Sequence, residues 1–338
     1  MKPKKSSALV RVGVLMGGVS SEHEISLLSG EGVVHALSET EYEPIPIIIH
    51  RNFNWEFPEK RILKTEEALA ELKRIGIHVI FNALHGAFGE DGRIQGLLEW
   101  LHIPFTGSDC SACALAMNKV RSKAVAKIAG IRVADHVVFH QDTWIWDRSD
   151  SVFRVENELG FPVVVKPVSQ GSSVGVTIAK NAESLLEGIE QALEWDKEVL
   201  VEKFINGREV TCGVWDCEEG IPPRALPVTE ICPKTSSFFD YTAKYTPGAT
   251  DEITPAPIEP EQTQKVQEMA VLAHQAIGCS TWSRSDFIID EEGPVWIEIN
   301  PIPGLTQTSL YPQEAKCAGI TYEQMIQKFV EHALKKRI

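Results

Sequence analysis

Short apolar runs alternate with segments of helical period through the first third of the chain, and few folds accommodate that alternation. "VRVGVLMGG" closes on Gly17 and Gly18, a strand running into a tight turn. "SEHEISLLSGEGVVHAL" follows with helical spacing, and "IPIIIH", ending at His50, reads as a second buried strand. "TEEALAELKRIG" is predicted to be a helix with Thr65 as its N-cap, and "HVIFNALHG" a third strand. In "DGRIQGLLEWLHI", Ile94, Leu97, Leu98 and Leu101 share one helical face. The pattern predicts a parallel α/β sheet over roughly residues 10–107. Ligands of such sheets sit beyond the carboxyl ends of the strands, which here are residues 17–22 and 83–89.

The character changes from about residue 110. "ACALAMNKVRSKAVAKIAG" is helical, "FPVVVKP" and "EVLVEKF" are strands, and the glycine- and serine-rich "KPVSQGSSVGV" lies between them. From about residue 206 a third section begins with the alternating strand "EVTCGVW". "CPKTSSFFDYTAKYTPGATDEITPAP" is long and without period, the mark of a lid, and its aromatics Phe238, Phe239, Tyr241 and Tyr245 argue against plain disorder. "KVQEMAVLAHQAIG" is an amphipathic helix.

A chain of 338 residues has room for two or three domains with substantial cores. Its 33 basic residues against 47 acidic give a net charge of −14, which disfavours nucleic acid and acidic membranes as partners. A small anion held by a few local lysines remains compatible with that balance. Seven scattered cysteines suit reduced thiols rather than a disulfide framework. Cys110 and Cys113 form a lone C-x-x-C that reads as two small residues at a helix start, since no second pair or histidine cluster supports a zinc or redox role. Arg11 interrupts the apolar stretch near the N-terminus, so neither a signal peptide nor a membrane span is expected.

"WSRSDFIIDEEGPVWIEINPIPG" reads as a β-hairpin about a turn at 290–293. Side chains alternate faces along a strand, so Arg284 and Asp286 share one face, as do Glu298 and Asn300. With the turn centred near residue 292, Asp286 falls close to opposite Glu298. Opposed like charges repel unless a cation lies between them. Asp286, Glu298 and Asn300 therefore outline a hard-cation site of the Mg²⁺ type, the plain alternative being that Arg284 neutralises the acids on a solvated face. The glycine-rich loop would then fold over phosphates and offer N–H donors, with Lys166 reaching them as a point charge. It is no standard phosphate loop, because its lysine comes first. Lys119 and Lys244 lie near the same candidate surfaces.

Seven stretches together carry a resemblance: "GGVSSEHEISLLSG", "ALHGAFGEDGRIQGLLEWLHIPFTGS", "MNKVRSK", "VVVKPVSQGSSVGV", "VLVEKFINGREVT", "FFDYTAKY" and "RSDFIIDEEGPVWIEINPIPGLTQTSLYP". In this order, covering nearly all of the chain beyond residue 9, they resemble the D-alanine–D-alanine ligases of the ATP-grasp superfamily. The resemblance implies an α/β fold of three domains: an N-terminal parallel α/β (pre-ATP-grasp) substrate domain, 1–108; a central ATP-grasp subdomain with the glycine-rich loop, 109–205; and a C-terminal subdomain, 206–338, with a lid at about 232–250 and the metal site. It implies a cytoplasmic enzyme, a homodimer in a bacterium with a peptidoglycan wall. The reaction implied joins two D-alanines at the expense of ATP through an acyl phosphate, with two Mg²⁺ ions or Mn²⁺ in their place.

The same resemblance gives residues their expected roles. Lys119 and Lys166 match lysines on the ATP phosphates, and Lys244 one near the γ-phosphate. Glu202, Lys203 and Ile205 match the strand edge that receives adenine, and Glu209 the ribose-binding acid. Asp286, Glu298 and Asn300 match the metal ligands. Arg284 and the Gly304 backbone match the oxyanion donors. Glu22 matches the acid on the first D-alanine's ammonium, and His85 lines that site. Ser309 and the Leu310 backbone match the holder of the second carboxylate. Ser172 matches a serine that links the residues matched by Glu22 and Tyr245. Taken singly, Glu22 could be a helix-start acid, His85 a satisfied strand-end histidine, Ser309 a helix cap and Tyr245 a lid aromatic.

Two positions depart from the usual pattern: Ser283 stands where many relatives carry glycine, and Pro301 where threonine is usual. The close alternatives are D-alanine–D-lactate and D-alanine–D-serine ligases. Lactate-type relatives carry a histidine near the place of Tyr245, so tyrosine favours an amine nucleophile. A nucleotide-dependent oxidoreductase lacks its G-x-G-x-x-G here, and a non-catalytic nucleotide-binding module would need a broken acid cluster.

Overall fold

The computed structural model describes residues 9–234 and 248–336, apart from the side chains of Ile145, Asp147 and Ser149. Three sheets follow one another along it. The first has the order β4-β3-β2-β1-β5, built from β1 (Val10–Gly17), β2 (Tyr42–Ile49), β3 (Trp55–Phe57), β4 (Arg61–Leu63) and β5 (Val79–Asn82). β1 pairs parallel with β2 and β5, as the alternation predicts. β3 and β4 add an antiparallel edge, so the sheet is mixed rather than wholly parallel. Val12, Val14 and Met16 of β1 pack with Val33 and Leu37 of the helix His23–Ser38, while Leu15 packs with Leu72 and Leu98 on the other face. Burial on both faces is what made this strand read as an unbroken apolar run. Lys64, not Thr65, takes the N-cap place of the helix Thr65–Arg74, and the Thr65 hydroxyl instead donates to the Phe53 carbonyl at 2.9 Å.

The second sheet, β6-β9-β7-β8, is antiparallel throughout and comprises β6 (His136–His140), β7 (Val163–Pro167), β8 (Thr177–Ala179) and β9 (Glu198–Lys203). Its core is its own: Val163, Val165, Val199 and Val201 pack under Val155, Leu185 and Ile189 from two flanking helices. The third sheet is also antiparallel. It runs β13-β12-β10-β14-β15, with β11 beside β12 along one edge of β10. The strands are β10 (Arg208–Asp216), β11 (Arg224–Ala225), β12 (Thr229–Pro233), β13 (Thr250–Ile253), β14 (Thr281–Asp290) and β15 (Gly293–Asn300). β12 and β13 lie at the two ends of the segment read as a periodless loop; residues 235–247 between them lie outside the described residues.

The expected amphipathic helix is Pro260–Ile277, and it covers one face of the third sheet through Val266, Ala270 and Ala273. Ala116, Ala126 and Ile131 join that same core. The helix Tyr322–Lys335 packs between the first and third sheets, where Phe329 stacks on Trp282 with ring centroids 4.1 Å apart. Val12, Val14 and Phe81 of the first sheet share one apolar cluster with Trp215, Trp282 and Phe329. Asp109 caps the helix Cys110–Met117 by accepting from Ala112 N at 2.8 Å; Cys113 is buried and both cysteines are free thiols. Among the described residues no helix is long and apolar enough to cross a membrane.

Candidate functional site

The hairpin β14–β15 carries the acids on one face, and a bulge is the reason. From the turn inward the register runs Asp290 opposite Gly293, Ile288 opposite Val295 and Phe287 opposite Trp296. Continued without interruption it would set Asp286 against Ile297, leaving Glu298 on the other face. The register instead shifts between Asp286 and Phe287, and Asp286 stands opposite Glu298, Arg284 opposite Asn300. One extra residue on the bulged strand accomplishes this. Ile297 and Glu298 consequently both line the cleft, while Trp296 and Ile299 flank them in the core.

That cleft is an open space of about 1020 Å³ between the second and third sheets. Lys119, Lys166, Glu202, Lys203, Ile205, Glu209, Asp286 and Glu298 all line it, so eight expected nucleotide or metal residues converge. Val164, Ile178, Phe204 and Ile288 supply apolar walls, suited to a flat heteroaromatic ring. At the acidic end, Lys119 Nζ lies 3.3 Å from Glu298 Oε2 and donates to the Gln170 carbonyl of the glycine-rich loop at 2.6 Å.

Glu202 is almost fully buried and sits between two lysines: Lys123 Nζ is 2.6 Å from Oε1, and Lys166 Nζ pairs with Oε2. Burial alone would raise this carboxyl, but the charges and hydrogen bonds of the two lysines hold it down at about 2. Lys123 was not singled out from the sequence. It is fully buried, and desolvation lowers its ammonium below the ordinary range despite Glu202 beside it. Its signal was present in "MNKVRSK": it follows Lys119 by four residues and so returns to the same helical face. Residue 202 thus serves as the buried counter-ion under the cleft, which its expected place on a strand edge does not convey.

The oxygen donors suit a hard divalent cation. Asp286 and Glu298 oppose each other, with Asn300 two residues on. Arg284 occupies Asp286 through two hydrogen bonds, Nε to Oδ1 at 2.9 Å and Nη2 to Oδ2 at 3.0 Å, and Thr211 Oγ1 donates to Oδ1 at 2.7 Å. The pairing of Arg284 with Asp286, one part of the plain alternative set out above, is therefore real, but both side chains are largely buried rather than on a solvated face. Asn300 Oδ1 accepts from Ile302 N at 2.9 Å. Among the described residues no three acidic, histidine or cysteine side chains are grouped so as to hold a metal ion, and the third oxygen donor beside the two acids is the amide of Asn300. A site that leaves positions to substrate phosphates has this composition.

Glu22, Ser172, His85, Arg284, Gly304, Ser309 and Leu310 do not line the nucleotide cleft. Ser172 Oγ donates to Glu22 Oε1 at 2.6 Å, which ties the glycine-rich loop to the first sheet's carboxyl edge. Ser172 and Ser173 hold positive φ of 51° and 57°, a left-handed conformation unusual for serine and frequent where function dictates shape. Glu22 Oε2 rests against Gly86, where a Cβ would stand 2.6 Å from it. His85 is buried with both ring nitrogens engaged, Nε2 with Ser29 Oγ at 2.9 Å and Nδ1 with Glu90 Oε1 at 3.3 Å. Burial raises the Glu90 carboxyl, and Glu22 adds to the rise, against the pull of His85. Ser309 holds the N-cap place of the helix Leu310–Cys317, yet its hydroxyl makes no cap bond; it accepts from Thr306 N at 3.1 Å. A side chain at Gly304 would start 3.1 Å from Ser309 Oγ. Lys244 and Tyr245 lie outside the described residues.

Residues 11–108 match the family model described as D-ala D-ala ligase N-terminus, and residues 125–331 that described as D-ala D-ala ligase C-terminus. A D-alanine–D-alanine ligase of Halalkalibacterium halodurans is 43 % identical, over 97 % of this chain and 100 % of its own length. One of Agrobacterium fabrum is 44 % identical, over 95 % and 97 %. Among solved structures, the VanG D-Ala:D-Ser ligase of Enterococcus faecalis superposes with a TM-score of 0.80 at 33 % identity, covering 96 % of this chain and 99 % of that one. The D-alanine–D-alanine ligase of Bacillus anthracis complexed with ATP gives 0.78 at 32 %, covering 97 % and 98 %. The two solved structures share the fold of this chain over nearly its whole length, and the chain belongs to the D-alanine–D-alanine ligase family.

Proposed function

We propose that this chain joins two D-alanines into D-alanyl-D-alanine, with ATP spent through an acyl phosphate. The observation that carries the reading is the single cleft in which Lys119 and Lys166 face the Asp286–Glu298 pair beneath the glycine-rich loop. Phosphoryl transfer depends chiefly on positioning and charge neutralisation, which these groups supply. The apolar wall and the strand edge at 202–205 take the adenine, and Glu209 the ribose. Asp286, Glu298 and Asn300 would hold Mg²⁺, whose charge neutralises the phosphates when bound.

Glu22, tied to Ser172, anchors the ammonium of the first D-alanine, whose own carboxylate attacks the γ-phosphate and displaces ADP, giving the acyl phosphate. The amine of the second, held by Ser309 and the Leu310 N–H, then attacks the acyl carbonyl. Arg284 and the Gly304 N–H steady the oxyanion as phosphate leaves. We read domain boundaries after residues 108 and 205, and a cytoplasmic homodimer that supplies peptidoglycan precursors.

The test is phosphate release from ATP with full-length protein. It should require both D-alanine and Mg²⁺, and Glu298→Gln should abolish it. Nucleotide binding without turnover would overturn the reading in favour of a binding module. The likeness to a D-Ala:D-Ser ligase raises a second reading, which product analysis with D-alanine, D-serine and D-lactate decides. Preferential incorporation of D-serine, or of D-lactate at neutral pH, would replace D-alanine as the second substrate.

A further inference from the structure

Lys123 is fully buried, does not line the nucleotide cleft and has no part in the chemistry set out above. It lies on the helix Lys119–Ile128, one turn after Lys119, which does line the cleft. Two contacts fix its ammonium. Nζ stands 2.6 Å from Glu202 Oε1 on β9, and 5.7 Å from the centroid of the Trp296 ring on β15.

Glu202 has a second cation. Lys166 on β7 is the register partner of Leu200 on β9, two residues before Glu202, so Lys166 and Glu202 are diagonal neighbours on one face of the second sheet. Lys166 Nζ pairs with Glu202 Oε2, and Lys166 also lines the cleft. One carboxylate thus stands between two ammonium groups, one in the core and one at the cleft. The charges acting on Lys123 are Glu202 first, then Lys166 and Glu298. A lone Lys166–Glu202 pair would be neutral and would attract a phosphate only weakly. Two cations against one anion leave a positive charge over, and it faces the cleft through Lys166.

Resting on the reading that the cleft holds ATP, we propose that Lys123 is a positioning residue for the nucleotide: by neutralising Glu202 from within the core, it frees Lys166 for the phosphates. Glu202 and a phosphate compete for the same ammonium. Charge that Lys123 takes up at Oε1 weakens the hold of Oε2 on Lys166, and the like charge of Lys123 favours a Lys166 ammonium turned toward an anion in the cleft. The helix that brings Lys119 to the cleft therefore supplies two cations, one that faces the cleft and one that acts through Glu202. Adenosine carries no phosphate, so its binding does not sense this arrangement.

The experiment measures the dissociation constants of ATP and of adenosine for the full chain by calorimetry at fixed ionic strength, and reads their ratio. Lys123→Met should weaken ATP about tenfold relative to adenosine, the order expected when one charge is withdrawn near a phosphate. Lys123→Met/Glu202→Gln should bring the ratio back to within about threefold of the parent, because no carboxylate then holds Lys166. A ratio unchanged in Lys123→Met overturns the proposal. So does a double variant as impaired as the single one, which would mean that Lys123 acts on the phosphates without Glu202. An ion pair that only fastened the core would lower the melting temperature and leave the ratio flat. If Lys123→Met fails to fold, Lys123→Gln carries the same comparison, since it removes the charge but still offers Glu202 a hydrogen bond. A parent protein that bound ATP no better than adenosine would defeat the reading of the cleft as a phosphate site, and the proposal with it. A flat ratio among variants that bind ATP more tightly than adenosine defeats the role of Lys123 alone.

Discussion

Ser172 Oγ and Glu22 Oε1 are joined by a 2.6 Å hydrogen bond across 150 residues of sequence. The bond runs from the loop above the nucleotide cleft to the first sheet, so closing one positions the other. Hydrogen bonds to a charged acceptor contribute about 1.5–3 kcal/mol, which corresponds to roughly 10–100-fold in a rate or affinity. We expect Ser172→Ala to lower D-alanine-dependent turnover by about tenfold or more, while the dissociation constant for ATP changes by less than about threefold. Equal losses in both would mean that the loop serves only as a phosphate cover.

Lys123 offers a cleaner stability experiment. Removing one partner of a buried ion pair strands the other charge and costs about 3–5 kcal/mol. Lys123→Met should lower the unfolding free energy by that amount in urea titrations. The double variant Lys123→Met/Glu202→Gln should lose less than the sum of the two single variants, although it leaves Lys166 without its carboxylate. Additive losses would show that the pair is not coupled.

Glu202 also sets an acid limit. Its carboxyl is held at about 2 in the folded protein, below its ordinary value of 4.5. The unfolded chain therefore binds a proton more readily than the folded one. The contribution of this group is complete above about pH 4.5 and is lost as the pH falls toward about 2, an effect on the order of 3 kcal/mol. Urea midpoints measured from pH 6 to pH 3 should drop more steeply for the parent than for Glu202→Gln. Parallel curves would assign the acid sensitivity elsewhere.

Gly213 has no room for a methyl group: a Cβ there would meet Glu314 Oε2 at 2.5 Å and the Tyr311 ring at 2.8 Å. Gly213→Ala should cost about 1–3 kcal/mol by overpacking, read as a lower melting temperature. An unchanged melting temperature would show that the helix Leu310–Cys317 can shift without penalty.

The sequence made the hairpin, the parallel pairs of the first sheet and the lysine-bearing strand legible, because period and turn residues are local. Opposition of Asp286 and Glu298 was reached from a turn centred near 292, whereas the pairing arises from a turn at 290–293 plus a bulge, which no pattern marks. β3 and β4 were missed: three residues each are too few to show a period. Lys123 and Glu314 were missed for another reason. A charged residue on a helix reads as solvated until its neighbours are known, and both are buried by segments distant in sequence.

The helix Tyr322–Lys335 completes the core begun at Val12, with Phe329 stacked on Trp282 between the first and third sheets. Synthesis delivers that helix more than two hundred residues after the strands it covers. While the ribosome is still translating, the first sheet exposes Phe81 on the face Phe329 will later close. The first segment of the nascent chain must therefore wait for nearly the last, and it is in that interval that a chaperone has something to hold.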